Sequence, residues 1–285
     1  MSTDIISLPP DKAPGLLAHI PQPPRKIYYQ GTLPPPELKL LSVVGSRRYS
    51  GYGKAVVSHL INGLRGYPVG IVSGLALGID SLAHQAALDN ELYTLAIPGS
   101  GLDDTVLYPA RHRALARSII SAGGGLLSEF PSKQSAAPWT FPQRNRLVVG
   151  ISDATLVIEA GERSGSLISA RLAVEYNREL LVVPGDIFSQ NSAGNHQFLK
   201  LGAHPVTAAR DILEVLCLDI LAANRTPQNL TPVETTILSA LAEPCSLDTL
   251  AHKTDLPVTQ LAPVLMEMEL KDLVHESDGL YRAVV

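Results

Sequence analysis

The chain has 285 residues, 45% of them hydrophobic, and a formal net charge of −4, which suits one large domain plus a small one. It has neither a signal-peptide pattern nor a run of 18 apolar residues, so we expect a cytoplasmic protein that does not enter a membrane. Cys217 and Cys245 are too few for a disulfide framework or a metal cluster. Cys217 lies in an apolar helical pattern, which predicts a core position.

Charge is distributed unevenly along the chain. Residues 1–210 carry 19 Lys and Arg against 15 Asp and Glu, a balance of +4, whereas residues 211–285 carry 4 against 12, a balance of −8. A mildly basic domain can bind a polyanion only through a local cluster of cations. The acidic end of the chain should repel nucleic acid.

The order of elements predicts an α/β fold. Residues 1–38 form a proline-rich extension, with Ile27 to Gln30 as an edge strand. Residues 39–222 repeat strand, glycine turn and helix, a series typical of a Rossmann-like, mostly parallel sheet. The predicted strands are 40–44, 69–72, 94–97, 154–159 and 180–183, and the predicted helices are 52–64, 81–88, 111–121 and 167–177.

Glycine turns follow four of these strands, at Gly45, Gly74, Gly99 and, after the 154–159 strand, Gly165. Because ligands bind at the carboxyl ends of the strands in a parallel sheet, the four turns could line one crevice. However, no G-x-G-x-x-G follows the first strand and no G-x-x-x-x-G-K-[ST] occurs. A dinucleotide or P-loop triphosphate site is therefore disfavoured.

The stretch from Phe141 to Ala170 has the composition of an anion site. Arg144 and Arg146 surround Asn145, and a Ser-Gly-Ser turn at 164–166 precedes a helical pattern. Ser164 is predicted to cap that helix, whose free amides and positive dipole end favour phosphate. On a helix, the two arginines of an R-x-R sequence point about 200° apart. One arginine can therefore face the site while the other braces the helix. A capped helix with two surface arginines would explain the segment as well.

Several motifs in order resemble the DNA-processing protein A family (DprA, also called Smf). They are GSR at 45–47, SGLALGID at 73–80, PGSGLDDTVLYP at 98–109, LLSEFP at 126–131, FPQRNRLVVG at 141–150, EAGERSGSLISARLA at 159–173 and VPG at 183–185. The resemblance implies a Rossmann-like domain that binds single-stranded DNA, forms a homodimer, protects incoming DNA and helps load the RecA recombinase during natural transformation. It implies no cofactor.

The resemblance also implies a set of DNA-binding residues. In the GSR turn an arginine would hold a phosphate, and at Phe141 the ring could stack on a base while charged groups hold the backbone. Asp80 is expected to cap a helix, because a carboxylate would repel phosphate. The implied residues are Ser46, Arg47, Arg48, Gly74, Phe141, Arg144, Asn145, Arg146, Ser164, Gly165 and Ser166.

Residues 230–285 resemble a winged helix, with helices predicted at 232–242, 246–254 and 257–272 and a hairpin ending at 280–282. A winged helix normally places its recognition helix in the major groove. Here that helix carries Glu267, Glu269 and Asp272 against Lys271 alone, which opposes binding at every phosphate. A protein-contact role is favoured, with plain structural packing as the alternative.

No catalytic or metal site is predicted. The chain has no H-E-x-x-H motif and no G-x-S-x-G elbow. Related Rossmann-like phosphoribohydrolases typically show P-G-G-x-G-T-x-x-E, whereas residues 159–166 read EAGERSGS. Glu159 is the one carboxylate that could serve as a general base, but a structural role, fixing a neighbouring arginine or loop amide, is favoured. A nucleotide-cleaving enzyme and a nucleotide-sensing module therefore remain the alternatives to a non-catalytic DNA-binding protein.

Overall fold

In the computed structural model the chain forms two compact units, residues 1–220 and 221–285. The structure describes residues 4–9, 12, 14–219, 231–241, 243–270, 273–277 and 279–283. The segment Asn-Arg-Thr-Pro-Gln-Asn at 224–229, which separates the two predicted domains and whose composition predicts a linker, lies outside the described residues, as do the charged residues Lys271 and Asp272.

The first unit is built on a mostly parallel sheet, ordered β1-β2-β6-β5-β4-β3-β7-β8-β9 in its described part. The strands are β1 (Ile6–Leu8), β2 (Ile27–Gly31), β3 (Lys39–Val44), β4 (Val69–Ser73), β5 (Thr94–Ala96), β6 (Gly125–Ser128), β7 (Ala154–Val157), β8 (Glu179–Val182) and β9 (His204–Pro205). Strands β3 to β9 pair in parallel, and β1 and β2 are antiparallel. The predicted Rossmann-like architecture is confirmed.

Helices cover both faces of this sheet. They are α1 (Gly51–Asn62), α2 (Ile79–Asp89), α3 (Arg113–Ser121), α4 (Thr140–Gly150), α5 (Ser166–Glu175), α6 (Ala193–Lys200) and α7 (Ala209–Val215). Alternate residues of β3 divide between the two cores: Leu41 and Val43 pack with α1, α2 and α7, whereas Leu40 and Val44 pack with α4, α5 and α6. Burial on both faces explains the continuous apolar runs that predicted these strands.

The proline-rich beginning of the chain contributes to the core of the first unit. Leu17, Ile20 and Ile27 are buried in the same cluster as α4 and α5. Strand β2 pairs with β1 on one side and with β6 on the other, so its prediction as an edge strand is wrong. Prolines flank β2 but do not enter it, which leaves its backbone free to pair on both sides.

Other details also differ from the sequence-based expectations. Strand β6 was missed, since it follows Gly123 and Gly124 and begins at Gly125, a composition that disfavours strands. Cys217 is exposed rather than buried, because the chain leaves helical geometry there with φ of 54°. Cys245, in the second unit, is buried.

The second unit is a small helical domain with a three-stranded antiparallel sheet. Its elements are α8 (Pro232–Ala240), β10 (Cys245–Ser246), α9 (Leu247–Thr254), α10 (Val258–Leu270), β11 (Val274–Ser277) and β12 (Leu280–Ala283). The order β10-β12-β11, with helices packed on one apolar cluster, is the predicted winged helix. Within the described part of the chain, no helix combines the length and apolar character that crossing a bilayer takes.

One polar residue in the core of the first unit couples stability to pH. His84 on α2 is fully buried. Its Nδ1 lies 2.8 Å from Thr94 Oγ1, while Nε2 has no hydrogen-bond partner among the described residues. Burial, with further contributions from His112 and Arg144, lowers the pKa of His84 from 6.5 to about 3. His84 is therefore neutral in the folded protein at physiological pH.

We expect the protein to lose stability as the pH falls below 6.5, because the unfolded chain then binds a proton at His84 that the folded chain does not. Between pH 7 and pH 5 this lowers the free energy of unfolding by about 2 kcal/mol. Urea unfolding at the two pH values measures the loss, and His84→Gln should show a correspondingly smaller loss. An unchanged pH dependence in the variant would contradict this assignment.

Candidate nucleic-acid interface

A crevice of about 1120 Å³ opens at the carboxyl ends of the central strands. It lies between the loops that follow β3, β4, β7 and β8 and the first turns of α4 and α5. The strand order runs from β3 to β6 in one direction and resumes with β7 on the opposite side of β3. Two loops therefore diverge at the junction of β3 and β7, which is where open α/β sheets bind ligands.

Nine of the eleven DNA-binding residues implied by the sequence line this crevice. They are Ser46, Arg47, Arg48, Phe141, Arg144, Asn145, Ser164, Gly165 and Ser166. Of the other two, Gly74 lines a small hollow that adjoins the crevice, and Arg146 is turned away from it.

Arg144 lies at the base of the crevice with only 4% of its surface exposed. Its Nη1 donates to the carbonyl oxygen of Ile97 at 2.6 Å, just after β5. The guanidinium rests against Gly74, where an added Cβ would lie 1.5 Å from Nη1. Arg144 therefore joins the loops after β4 and β5, and its charge acts from beneath the surface.

Asp80 is the carboxylate that compensates this buried cation. Its Oδ2 accepts from the backbone amides of Gly74 at 3.1 Å and Ala76 at 3.3 Å, so Asp80 anchors the loop after β4. The expectation that Asp80 caps a helix is therefore wrong. Burial raises the pKa of Asp80, while Arg144, the two loop amides and Arg47 oppose that rise. Burial likewise lowers the pKa of Arg144, and Asp80 opposes that shift.

Arg146 takes the bracing position that the R-x-R spacing predicts for one of the pair. Its guanidinium pairs with Glu129 and donates to the carbonyl oxygen of Gln22 at 2.6 Å, and its side chain is 12% exposed. Because helix α4 points Arg144 and Arg146 in different directions, only Arg144 reaches the crevice. Both arginines are held by protein groups.

The loop after β3 presents the accessible cations. Arg47 and Arg48 are exposed, and Ser46 Oγ accepts from the Arg48 amide at 3.0 Å. The Arg47 guanidinium lies over the ring of Phe141, 5.4 Å from its centroid. A cation held over an aromatic face keeps its charge at the surface while losing part of its freedom of movement.

The Ser-Gly-Ser segment forms the opposite wall. Gly165, rather than Ser164, occupies the N-cap position of α5. Ser164 Oγ lies 2.6 Å from Ser166 Oγ and accepts weakly from the Ser166 amide at 3.4 Å. The first turn of a ten-residue helix therefore faces the crevice, and its positive dipole end favours an anion there.

The structure adds residues that the sequence reasoning missed. Arg163 lines the crevice directly before the Ser-Gly-Ser segment, where a cation beside an anion-binding turn was the available signal. Gln190 and Asn191 come from the loop after β8. Asn191 Nδ2 donates to the carbonyl oxygen of Arg48 at 3.3 Å, which links that loop to the one after β3. No sequence pattern pointed to these two residues.

Glu159 is engaged in the scaffold. Its Oε1 accepts from Ser50 Oγ at 2.6 Å and its Oε2 from the Ser50 amide at 2.9 Å, and 2% of its surface is exposed. Glu159 thus fixes the loop that carries Arg47 and Arg48. A carboxylate with both oxygens bound in this way is poorly placed to accept a proton from a substrate.

The electrostatic balance of the lining is positive. Four arginines, at 47, 48, 144 and 163, stand against two carboxylates, Asp80 and Glu162, and Asp80 is buried beside Arg144. Such a local cluster attracts an anionic ligand even on a chain whose net charge is −4. Among the described residues, no group of three or more His, Cys, Asp or Glu side chains is placed to hold a metal ion.

The Rossmann-like unit has an arginine-lined crevice at the point where the strand order reverses. These features place the protein in the class of α/β proteins whose site is suited to an anionic ligand. The family model described as DNA recombination-mediator protein A matches residues 5–217, and the DprA winged helix domain matches residues 222–279. The chain belongs to the DNA recombination-mediator protein A family, which confirms the resemblance of its motifs.

Individual relatives agree with this assignment. Protein Smf of Escherichia coli K12 is 36% identical over 268 residues, covering 90% of this chain and 71% of that protein. DNA processing protein DprA of Streptococcus pneumoniae is 39% identical over 203 residues, 71% of each chain. The solved structure of DprA from S. pneumoniae superposes with a TM-score of 0.69 at 36% identity, covering 74% of each chain.

A second solved structure concerns the single-stranded DNA binding mode of DNA processing protein A from Helicobacter pylori. It superposes with a TM-score of 0.65 at 28% identity, covering 76% of this chain and 98% of that chain.

Placing a methyl group at residue 74 should disturb the crevice from below. Gly74→Ala would force Arg144 away from the Ile97 carbonyl, and we expect the free energy of unfolding to fall by about 1–3 kcal/mol. Gly165→Ala is the matched control, because nothing lies within 4 Å of a Cβ added there; its effect should stay within about 0.5 kcal/mol. Urea unfolding of both variants makes the comparison, and equal midpoints would contradict the packing of Arg144 against Gly74.

Proposed function

We propose that the crevice binds single-stranded DNA without catalysis, and that the protein protects incoming strands and hands them to the RecA recombinase during DNA processing in transformation. The observation that carries the proposal is the convergence of Arg47, Arg48 and Arg163 with the start of α5 at one switch point. Family membership supports it, as does the H. pylori relative studied for its single-stranded DNA binding.

The proposed contacts follow from exposure. Arg47, Arg48 and Arg163 are exposed and hold phosphates directly, as do the α5 amides near Ser164 to Ser166. Ser46 and Asn145, which also line the crevice, supply neutral hydrogen bonds. Arg144 adds its field from below, Gly74 makes room for it, and Arg146 braces α4. Single strands combine such a cationic groove with ring stacking, for which Phe141 was the sequence candidate.

The engagement of Glu159 supports a non-catalytic role. A phosphoribohydrolase-like reaction would need a carboxylate that is free to work as a base, whereas both Glu159 oxygens are bound by Ser50. Incubation with nucleoside monophosphates followed by chromatography tests the point. If the protein releases free base and the variant Glu159→Gln does not, the protein is a nucleotide-cleaving enzyme instead.

Exposed apolar side chains support a homodimer. Val174 on α5, Ile187 and Phe188 after β8, and Leu201 at the end of α6 are 64%, 77%, 88% and 81% exposed. All four lie in the stretch of chain from α5 to the end of α6, around β8. Large apolar side chains exposed in this way are typical of a protein–protein interface.

For the winged helix we propose a protein contact. Glu267 and Glu269 are exposed on α10, and Glu269 Oε1 lies 3.8 Å from His275 Nδ1 on β11. Carboxylates on the helix that would enter a major groove oppose phosphate. The recombinase is a candidate for this contact.

Binding is tested by fluorescence anisotropy of a labelled oligothymidylate at several salt concentrations. Arg47→Ala and Arg48→Ala should each weaken binding by about 1–3 kcal/mol and should lower the slope of log affinity against log salt by about 0.7 per lost ion pair. Arg65→Ala is the control, since Arg65 precedes β4 at the opposite edge of the sheet and pairs with Glu91. If the Arg47/Arg48 double variant binds the oligothymidylate with unchanged affinity, the crevice is not the binding site.

The hand-over is tested separately, on single strands already covered by a single-strand-binding protein. Adding this protein should raise the DNA-dependent ATP hydrolysis of RecA several-fold, and the Arg47/Arg48 double variant should not, because it cannot hold the strand. Equal stimulation by the double variant would show that recombinase loading does not pass through the crevice.

A further inference from the structure

The backbone carbonyl of Arg48 accepts two hydrogen bonds. One comes from Ser46 Oγ at 2.9 Å, and the same hydroxyl accepts from the Arg48 amide at 3.0 Å. The other comes from Nδ2 of Asn191 at 3.3 Å, a residue 143 positions later in the sequence. Ser46 therefore gives the turn its shape, while Asn191 fixes the turn against the loop after β8.

Asn191 is itself held by the loop after β8. Its backbone amide donates to Ser189 Oγ at 3.3 Å. The next residue, Ser192, is buried, and its amide donates to the carbonyl oxygen of Ser189 at 3.1 Å. Ser192 packs closely against Gly185, where an added Cβ would collide with Ser192 Oγ. The side chain of Asn191 therefore extends from a backbone that hydrogen bonds and packing hold in place.

The loop after β3 is also attached at its two ends. The carbonyl oxygen of Ser46 accepts from the Ile79 amide at 3.2 Å, and Ser50 donates to Glu159 through its amide and its hydroxyl. The two arginines lie between these points and are exposed. A hydrogen bond to the Arg48 carbonyl therefore restrains the middle of the loop, from which a charged side chain would reach a phosphate.

A second hydrogen bond joins the same two regions away from the arginines. Tyr52 Oη, in the first turn of α1, donates to the carbonyl oxygen of Pro184 at 2.7 Å. The loop after β8 is therefore tied to the start of α1 without Asn191. The bond from Asn191 acts more locally, on the main chain of Arg48.

We propose that Asn191 is a positioning residue: it holds the main chain of Arg48 so that the guanidinium is directed at a phosphate, and it does not contact the strand itself. This rests on the proposed binding of single-stranded DNA in the crevice. An arginine whose main chain is already held loses less conformational freedom when it pairs with a phosphate. The residue that directs Arg48 thus comes from the loop after β8, a strand separated from β3 by β7.

A double-mutant cycle with Arg48→Ala tests whether Asn191 acts through Arg48. Asn191→Leu keeps a side chain of similar size and removes the donor. In anisotropy with a labelled oligothymidylate, we expect Asn191→Leu to bind about threefold to tenfold more weakly than the wild type, because Arg48 is less restrained. The salt slope should not change, because the number of ion pairs stays the same. When Arg48 is already alanine, Asn191→Leu should cause no further loss.

Tyr52→Phe is the matched control. It removes the other hydrogen bond between the two regions and leaves the Arg48 carbonyl bound, so it should bind the oligothymidylate as the wild type does. If Tyr52→Phe weakens binding as much as Asn191→Leu, general loosening of the loop after β8 is the cause, and the specific role of Asn191 is overturned.

The remaining outcomes distinguish this inference from the function on which it rests. If the wild type does not bind the oligothymidylate at low salt, the proposed function fails. If Asn191→Leu binds as the wild type does, or loses the same factor with and without Arg48, Asn191 does not act through Arg48 and the inference is overturned. If Arg48→Ala binds as the wild type does, Asn191 has no cation to position, and the inference fails while Arg47 and Arg163 still carry the site. Thermal unfolding shows whether each variant is folded; should Asn191→Leu not fold, Asn191→Ala takes its place in the cycle.

Discussion

A guanidinium buried beneath a crevice is the constraint around which this protein is organised. Taking a charge out of water is costly unless hydrogen bonds and an opposite charge replace the solvent. Arg144 obtains them from the Ile97 carbonyl and from Asp80, which also binds the amides of the loop after β4. The position of Gly74 follows, since only a residue without a side chain leaves room for this arrangement. The loop after β4, which forms part of the crevice, is therefore held in place from below.

This organisation separates two uses of arginine in one site. Arg144 and Arg146 belong to the same motif and are both bound by protein groups, so they support the structure and add a positive field. Arg47, Arg48 and Arg163 are exposed on loops and are available to a ligand. Glu159 supports the exposed set, because it fixes the loop of Arg47 and Arg48 through Ser50.

Much of the fold was predictable because apolar runs and glycine turns have short-range signatures. The strands around β3, β4, β7 and β8 were found within a few residues. Strand β6 was not predicted, because the glycines at its start disfavour a strand, and only its pairing with β5 and β2 makes it one. Residue types located the crevice, but a sequence does not show burial: the same letter stands for the buried Arg144 and the exposed Arg47. Asn191 reaches the crevice from a loop whose position depends on pairing between strands distant in the sequence.

The pairing of β3 with β7 joins segments far apart in the chain: Ser42 Oγ lies 2.8 Å from Thr155 Oγ1 across 113 positions of sequence. Contacts of such long range form late, since closing the intervening loop costs entropy before any contact compensates it. The two walls of the crevice sit on opposite sides of this seam. A chain in which β3 and β7 have not yet paired therefore lacks the crevice, and binding of a ligand there would report that this part of the sheet has assembled.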